Sequence, residues 1–143
     1  MKKTHAFQPG FRISKTDVVT ILLAFALAGW AASAGLWPLG VLLLYVKAHF
    51  FLFCNVFRIN RGPELIWAVV FVGMYYLGHL RGFPSPSIFL GAGSGLAALL
   101  IAWQTRRPDY HGILWQRWNP GLPAWWENYV KGSSEHGDPP VAR

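Results

Sequence analysis

The side chains with the greatest chemical capacity lie within one strongly apolar stretch, residues 37–61. Five of them are Lys47, His49, Cys54, Asn55 and Arg58. A histidine inside a membrane can ligate haem iron or chlorophyll magnesium, or relay protons. A lysine there needs a counter-charge, loses its proton, or extends its amine toward the interface. The stretch therefore allows tetrapyrrole binding, proton-coupled transport or contact with a partner.

The elements that must position these residues are four apolar segments, each long enough to cross a bilayer as a helix. We predict spans at about 18–36, 38–57, 64–80 and 87–103. The composition agrees, because 53% of residues are hydrophobic and only 13% are charged, against about 25% charged in soluble domains. The first segment also resembles a signal peptide, with Ala32-Ser33-Ala34 as its cleavage site, but its apolar run exceeds the usual core.

Lysine and arginine flank the spans asymmetrically, which predicts orientation. One side receives eight basic residues near the span ends, whereas the other receives only Arg81. We therefore predict both termini in the cytoplasm and the chain in a bacterial inner membrane. The predicted organisation is a basic segment 1–16, a four-helix bundle 17–107, a Trp-rich interfacial segment 108–131 and a disordered tail 132–143. The single cysteine excludes an intrachain disulfide.

Lys47 lies about 14 Å into the second span, close to the midplane. All six acidic residues lie at span borders or outside the spans, so the sequence offers Lys47 no evident counter-ion. Helical spacing predicts a stripe of Lys47, Phe51, Cys54 and Arg58, with Asn55 beside it. We interpret these five residues as a contact for a partner or ligand. Snorkelling of Lys47, a neutral Lys47 and a proton relay are the alternatives.

His49 is the only candidate ligand for a cofactor. A bis-histidine haem would need His79, but the two differ in depth by roughly 10–15 Å, so only single axial ligation of haem or chlorophyll remains. Hydrogen bonding of His49 to a helix is the plainer alternative. Cys54 lies five residues after His49, which points the two side chains about 140° apart, and no other spacing suggests a metal site.

Small residues form faces on the fourth and first predicted spans. The face on the fourth span consists of Gly91, Gly95, Ala98 and Ala102, and that on the first includes Gly29 and Ser33. Such faces allow helix backbones to approach closely, so we predict helix packing here. A nucleotide loop at residues 91–95 is disfavoured, because the third glycine of GxGxxG and a preceding strand are both missing.

Aromatic side chains dominate the polar segment 108–131, which is unsuited to spanning a membrane. We predict short helices at about 113–118 and 123–131 that lie at the interface, because indole and phenol rings favour the headgroup level. The anchoring residues would be Trp115, Trp118, Trp125, Trp126 and Tyr129.

Taken together, these patterns predict an all-α, four-span membrane protein. We expect a non-catalytic accessory subunit of a larger membrane complex, of the energy-transducing or membrane-oxygenase kind. Its partners would be lipids and other membrane subunits, and a bound lipid or tetrapyrrole stays open. The alternatives are a small proton-coupled transporter that uses Lys47 and His49, and a pigment- or haem-binding anchor with His49 as axial ligand. Nucleic acid is excluded as a partner, since membrane orientation already accounts for the basic loops.

Overall fold

A computed structural model describes residues 8–82 and 86–135. Every regular element in these ranges is helical, in the order α1 (Lys15–Ser33), α2 (Trp37–Phe51), a π-helical turn (Leu52–Val56), α3 (Arg61–Leu80), α4 (Pro86–Gln104), α5 (Trp115–Trp118) and α6 (Leu122–Glu135). Four of these helices, counting α2 with its π-turn as one, are long and apolar enough to cross a membrane, which confirms the predicted number and position of the spans. We call the end of the bundle where α1 and α3 begin the basic end.

The hairpin of α1 and α2 is built on small residues. Ala28 and Ala31 are buried on α1, and a Cβ added to Gly40 of α2 would come within 2.9 Å of the Ala28 carbonyl oxygen. A side-chain cap closes the N-terminus of α1. Ser14 is the cap, and it forms a capping box with Asp17, so reciprocal side-chain bonds satisfy free N–H groups at the helix start.

The core joins α2 to α3 and α4 through aromatic rings. Trp67 of α3 is fully buried and lies parallel to Phe71, at 5.1 Å between ring centroids. Its indole N–H donates to the Gly93 carbonyl of α4 at 2.8 Å. Gly93 has no room for a Cβ, because Phe71 and the Tyr45 hydroxyl oxygen each lie 2.7 Å from where that atom would stand. In this half of the bundle, aromatic rings of α2 and α3 thus pack against a small residue of α4.

The segment before α1 and the segment after α4 both cover the last turn of α2. Backbone carbonyl groups at this helix end accept hydrogen bonds from the segments before α1 and after α4. The Arg12 N–H donates to Asn55 O at 3.2 Å, and the Ile113 N–H donates to Val56 O at 2.8 Å. The indole of Trp118 in α5 stacks on Phe57 at 6.5 Å. The helix α6 continues through Glu135, past Lys131, where we had placed its end; the rest of the predicted disordered tail lies outside the described residues.

Candidate functional site

The Lys47 ammonium group finds its partner within the chain. Its Nζ donates to the Thr20 hydroxyl oxygen of α1 at 2.6 Å, and that hydroxyl donates to the Asp17 carbonyl oxygen at 3.1 Å. The Asp17 carboxylate also interacts electrostatically with Lys47. Thr20 lies five residues after the start of α1, or about 8 Å along the helix, so the amine extends from mid-span toward the basic end. Lys47 therefore has a neutral hydrogen-bond partner within the chain, and the Asp17 carboxylate interacts with it without forming an ion pair among the described residues.

Asn55 extends this network toward the basic end. It is buried, and its amide bonds the Asp17 carboxylate. In the amide orientation that satisfies both of its polar atoms, the NH₂ group donates to Asp17 Oδ2 and to the Arg12 carbonyl oxygen, each at 3.0 Å. Lys47, Thr20, Asp17 and Asn55 together form what we call the polar network, a set of hydrogen-bonding groups held between α1 and α2.

The π-turn changes the stripe that helical spacing predicted. Its wider turn directs neighbouring side chains to different helices: Asn55 to α1, and Cys54 to α3, where its thiol lies 3.4 Å from Glu64 Oε1. The helix ends before Arg58, which adopts a left-handed backbone conformation with φ of 47°. Arg58 is therefore not on the same helical face as Lys47, and the single four-residue stripe is wrong as a geometric unit.

Four of the five residues predicted to contact a partner contact residues 8–20 of the same chain. Lys47 and Asn55 bond α1 as described, and the Phe51 ring packs edge-on against Phe11 at 6.2 Å. The Arg58 guanidinium donates to the Gln8 carbonyl oxygen. Lys47 thus has a hydrogen-bond partner within the chain, which weakens the reason to expect an external partner at this place. Contact with a partner here stays a prediction.

His49 lies on the opposite side of α2 from Lys47, because two residues correspond to about 200° of helix rotation. Its ring is buried, stacks on Trp67 at 4.7 Å and lies 4.2 Å from the Tyr45 ring. Its Nδ1 is 2.9 Å from the Tyr45 carbonyl oxygen. His49 therefore has aromatic neighbours and a backbone hydrogen bond within the chain, and its role as an axial ligand stays a prediction.

The small-residue face of α4 points away from the rest of the described chain. Gly91, Gly95, Ala98 and Ala102 are exposed, and a Cβ added at either glycine would meet nothing within 4 Å. Within the chain, α4 uses the neighbouring face of Gly93 and the buried Ala97 instead. Gly29 and Ser33 on α1 are likewise exposed. The predicted packing role of these faces therefore requires a helix from outside the described chain.

The aromatic residues after α4 divide into two groups. Trp118 packs on Phe57 and lies 5.9 Å from Tyr110, which is itself buried and donates its hydroxyl to the Ile113 carbonyl oxygen. Burial raises the pKa of Tyr110 to about 12. In the second group, Trp125 and Trp126 of α6 each pack on Tyr129. Their predicted anchoring at a membrane interface, like that of Trp115, stays a prediction.

Sequence reasoning missed several residues of the site. Thr20 and Tyr45 were available signals, since each is a polar side chain inside an apolar run. Trp67 offered a similar signal within the third span, because an indole N–H needs an acceptor when it is buried. The π-turn has no recognisable sequence signature, and its effect on Cys54 and Asn55 followed from backbone geometry alone.

Within residues 8–82 and 86–135, no group of three or more His, Cys, Asp or Glu side chains could hold a metal ion. Comparisons with known proteins found no match among family models, curated proteins or solved structures.

Proposed function

We propose that this multi-pass membrane protein is a non-catalytic accessory subunit of a larger membrane complex, as the sequence suggested. The observation that carries the proposal is the outward face of α4, made of Gly91, Gly95, Ala98 and Ala102, all exposed. In lipid, small residues expose helix backbone and give little dispersion contact. Against a second helix, the same residues allow a close approach. The face is thus better suited to a partner helix than to acyl chains.

The thinness of the bundle supports the same function. Between 11% and 22% of the residues in each span are buried within the chain. Most of each helix surface is therefore available to lipid or to other subunits. In this proposal the basic end faces the cytoplasm, because the lysine and arginine excess lies there. The aromatic helices α5 and α6 then lie on the cytoplasmic side, at the level of the headgroups.

The test is purification of the full chain from its native membrane in mild detergent, followed by mass spectrometry of the proteins that accompany it. Gly95→Leu adds a large side chain where a Cβ meets nothing within the chain. We expect it to remove stoichiometric partners while the isolated protein stays folded. Val69→Leu on α3 is the matched control, since Val69 is 71% exposed and the new side chain is the same. Retention of all partners by Gly95→Leu, or no stoichiometric partner for the unaltered protein, would reject the proposal.

A second candidate function, proton-coupled transport, is favoured by the polar network alone. Lys47 bonds the Thr20 hydroxyl, which donates to the Asp17 main-chain carbonyl, and the Asp17 carboxylate interacts electrostatically with Lys47, so polar groups extend from mid-span. His49 does not extend it, because that ring faces α3 on the other side of α2. Protein reconstituted in liposomes with an internal pH-sensitive dye tests this function. Acidification that depends on the protein and is abolished by Lys47→Met would favour transport over the accessory role.

A further inference from the structure

Two arginines lie at the basic end, where the segment before α1 crosses the end of α2. The Arg12 backbone N–H donates to the Asn55 carbonyl oxygen at 3.2 Å, which places residue 12 beside the π-turn. Three residues after Asn55, Arg58 directs its guanidinium back along the same segment and donates to the Gln8 carbonyl oxygen. Burial, together with repulsion from the positive charge of Arg12, lowers the pKa of Arg58. The two positive charges therefore lie near enough to interact electrostatically.

No carboxylate neutralises this pair within the part of the chain that the structure describes. The one ion pair found there joins Arg107 to Asp109. Asp17 is the carboxylate closest along the segment, but its oxygens already accept bonds from the Ser14 N–H, the Ser14 hydroxyl and the Asn55 amide. A guanidinium has five N–H donors. Among residues 8–82 and 86–135, the Arg58 guanidinium donates one hydrogen bond, to a neutral carbonyl, which leaves most of its donors available.

The backbone of Arg58 is also held in a disfavoured conformation. Its φ of 47° lies in the left-handed region, which non-glycine residues rarely adopt. This conformation lets the chain leave the π-turn while the side chain turns back toward residues 8–12. The Arg12 side chain, in contrast, is exposed and has no hydrogen-bond partner among residues 8–82 and 86–135. One guanidinium is thus fixed and partly buried, and the other is free to close on a ligand.

We propose that Arg12 and Arg58 bind the phosphate group of an anionic phospholipid at the basic end of the bundle. Planar guanidinium groups match phosphate oxygens with paired hydrogen bonds, and two positive charges suit a single anionic headgroup. The residues on either side of Arg12 favour lipid over a free anion. Phe11 and Ile13 are each 53% exposed, so apolar surface lies beside the charge, where acyl chains begin. Anionic lipids are also enriched in the membrane leaflet that basic segments face.

This site is independent of the accessory role, because it needs only a bilayer and not a partner subunit. The experiment therefore uses the purified, delipidated full chain in detergent micelles. Native mass spectrometry counts bound phosphatidylglycerol against phosphatidylcholine, added in equal amounts. We expect the unaltered protein to retain phosphatidylglycerol preferentially. Loss of one charge-assisted contact in Arg12→Gln should reduce that preference by about tenfold.

Two variants and one anion complete the design. Arg106→Gln removes an exposed charge at the same end and should leave the preference unchanged. Arg12→Lys keeps the charge without the paired donors, and we expect intermediate retention. Inorganic phosphate should neither displace the lipid nor raise the thermal stability of the protein. Equal retention of both lipids, an unchanged preference in Arg12→Gln, an equal loss in Arg106→Gln, or displacement by inorganic phosphate would each overturn the proposal.

Discussion

Removal of the Trp67 side chain is the most direct perturbation of the core that joins the two halves of the bundle. The side chain is 0% exposed. It stacks on His49 and Phe71, and its indole N–H donates to the Gly93 carbonyl oxygen at 2.8 Å. Trp67→Ala deletes all of these contacts together, whereas Trp67→Phe keeps a ring and deletes the hydrogen bond.

The expected magnitudes follow from these contacts. A buried tryptophan truncated to alanine costs about 3–5 kcal/mol in soluble proteins. In a membrane the low end applies, about 3 kcal/mol, because lipid tails are as apolar as the side chain and mainly packing is lost. The interhelical hydrogen bond contributes about 0.6 kcal/mol on average in membranes. With some loss of ring contact, Trp67→Phe should cost about 1 kcal/mol.

The measurement is reversible unfolding in mixed dodecyl maltoside and dodecyl sulfate micelles, followed by far-ultraviolet circular dichroism. Trp30→Ala is the matched control, because Trp30 is 65% exposed on α1 and should change the free energy of unfolding by no more than about 0.5 kcal/mol. If Trp67→Ala costs no more than Trp30→Ala, Trp67 does not form the core, and the argument for His49 as an enclosed core residue fails with it.

Three further outcomes are expected from the same unfolding assay and from titration. Gly93→Ala should destabilise the protein by about 1–3 kcal/mol because its Cβ has no room, whereas Gly95→Ala should not destabilise the isolated chain; equal effects would contradict the assignment of the inner and outer faces of α4. Ser14→Ala should cost about 1 kcal/mol through loss of the capping box, and Ser33→Ala, whose hydroxyl is exposed at the end of α1, should cost much less. Burial raises the pKa of Tyr110 from 10.0 to about 12, so the contribution of Tyr110 to stability is complete below pH 10 and is lost as the pH rises toward 12. Tyr110→Phe should flatten this part of the pH–stability profile. An unchanged slope in Tyr110→Phe would exclude Tyr110 as its source.

The spans could be predicted from the sequence because the length of an apolar run does not depend on how the helices pack. The four long helices begin and end within about three residues of the predicted span bounds, and the early start of α1 follows from its cap Ser14, which lies outside the apolar run. The exposed and inner faces of α4 were not distinguishable in advance. Gly91 and Gly93 are two residues apart, and only the position of Phe71 and Tyr45 decides which glycine must lack a side chain.

The candidate site was predicted in composition but not in geometry. Lys47, Asn55 and Arg58 were identified from their residue types, yet their partners were placed outside the chain. Depth counted along a helix put Asp17 at the border, and snorkelling of Lys47 toward the basic end stood only as one of several alternatives. The depth count also assumed an uninterrupted α-helix, whereas the π-turn at Leu52–Val56 redirects Cys54 and Asn55. Register between α1 and α2 is a tertiary property, so no local pattern contained this information.

The hydrogen bonds that the segments before α1 and after α4 make to the end of α2 have a consequence for biosynthesis. The Val56 carbonyl receives its hydrogen bond from Ile113, so the last turn of the second helix stays incomplete until the ribosome has translated all four spans and the loop after them. Chains are made from the N-terminus, and early segments fold first. The α1–α2 hairpin can therefore insert early, while the basic end sets last, after α4 and its small-residue face are already in the bilayer. A subunit that meets α4 during synthesis would encounter the chain before its basic end is closed.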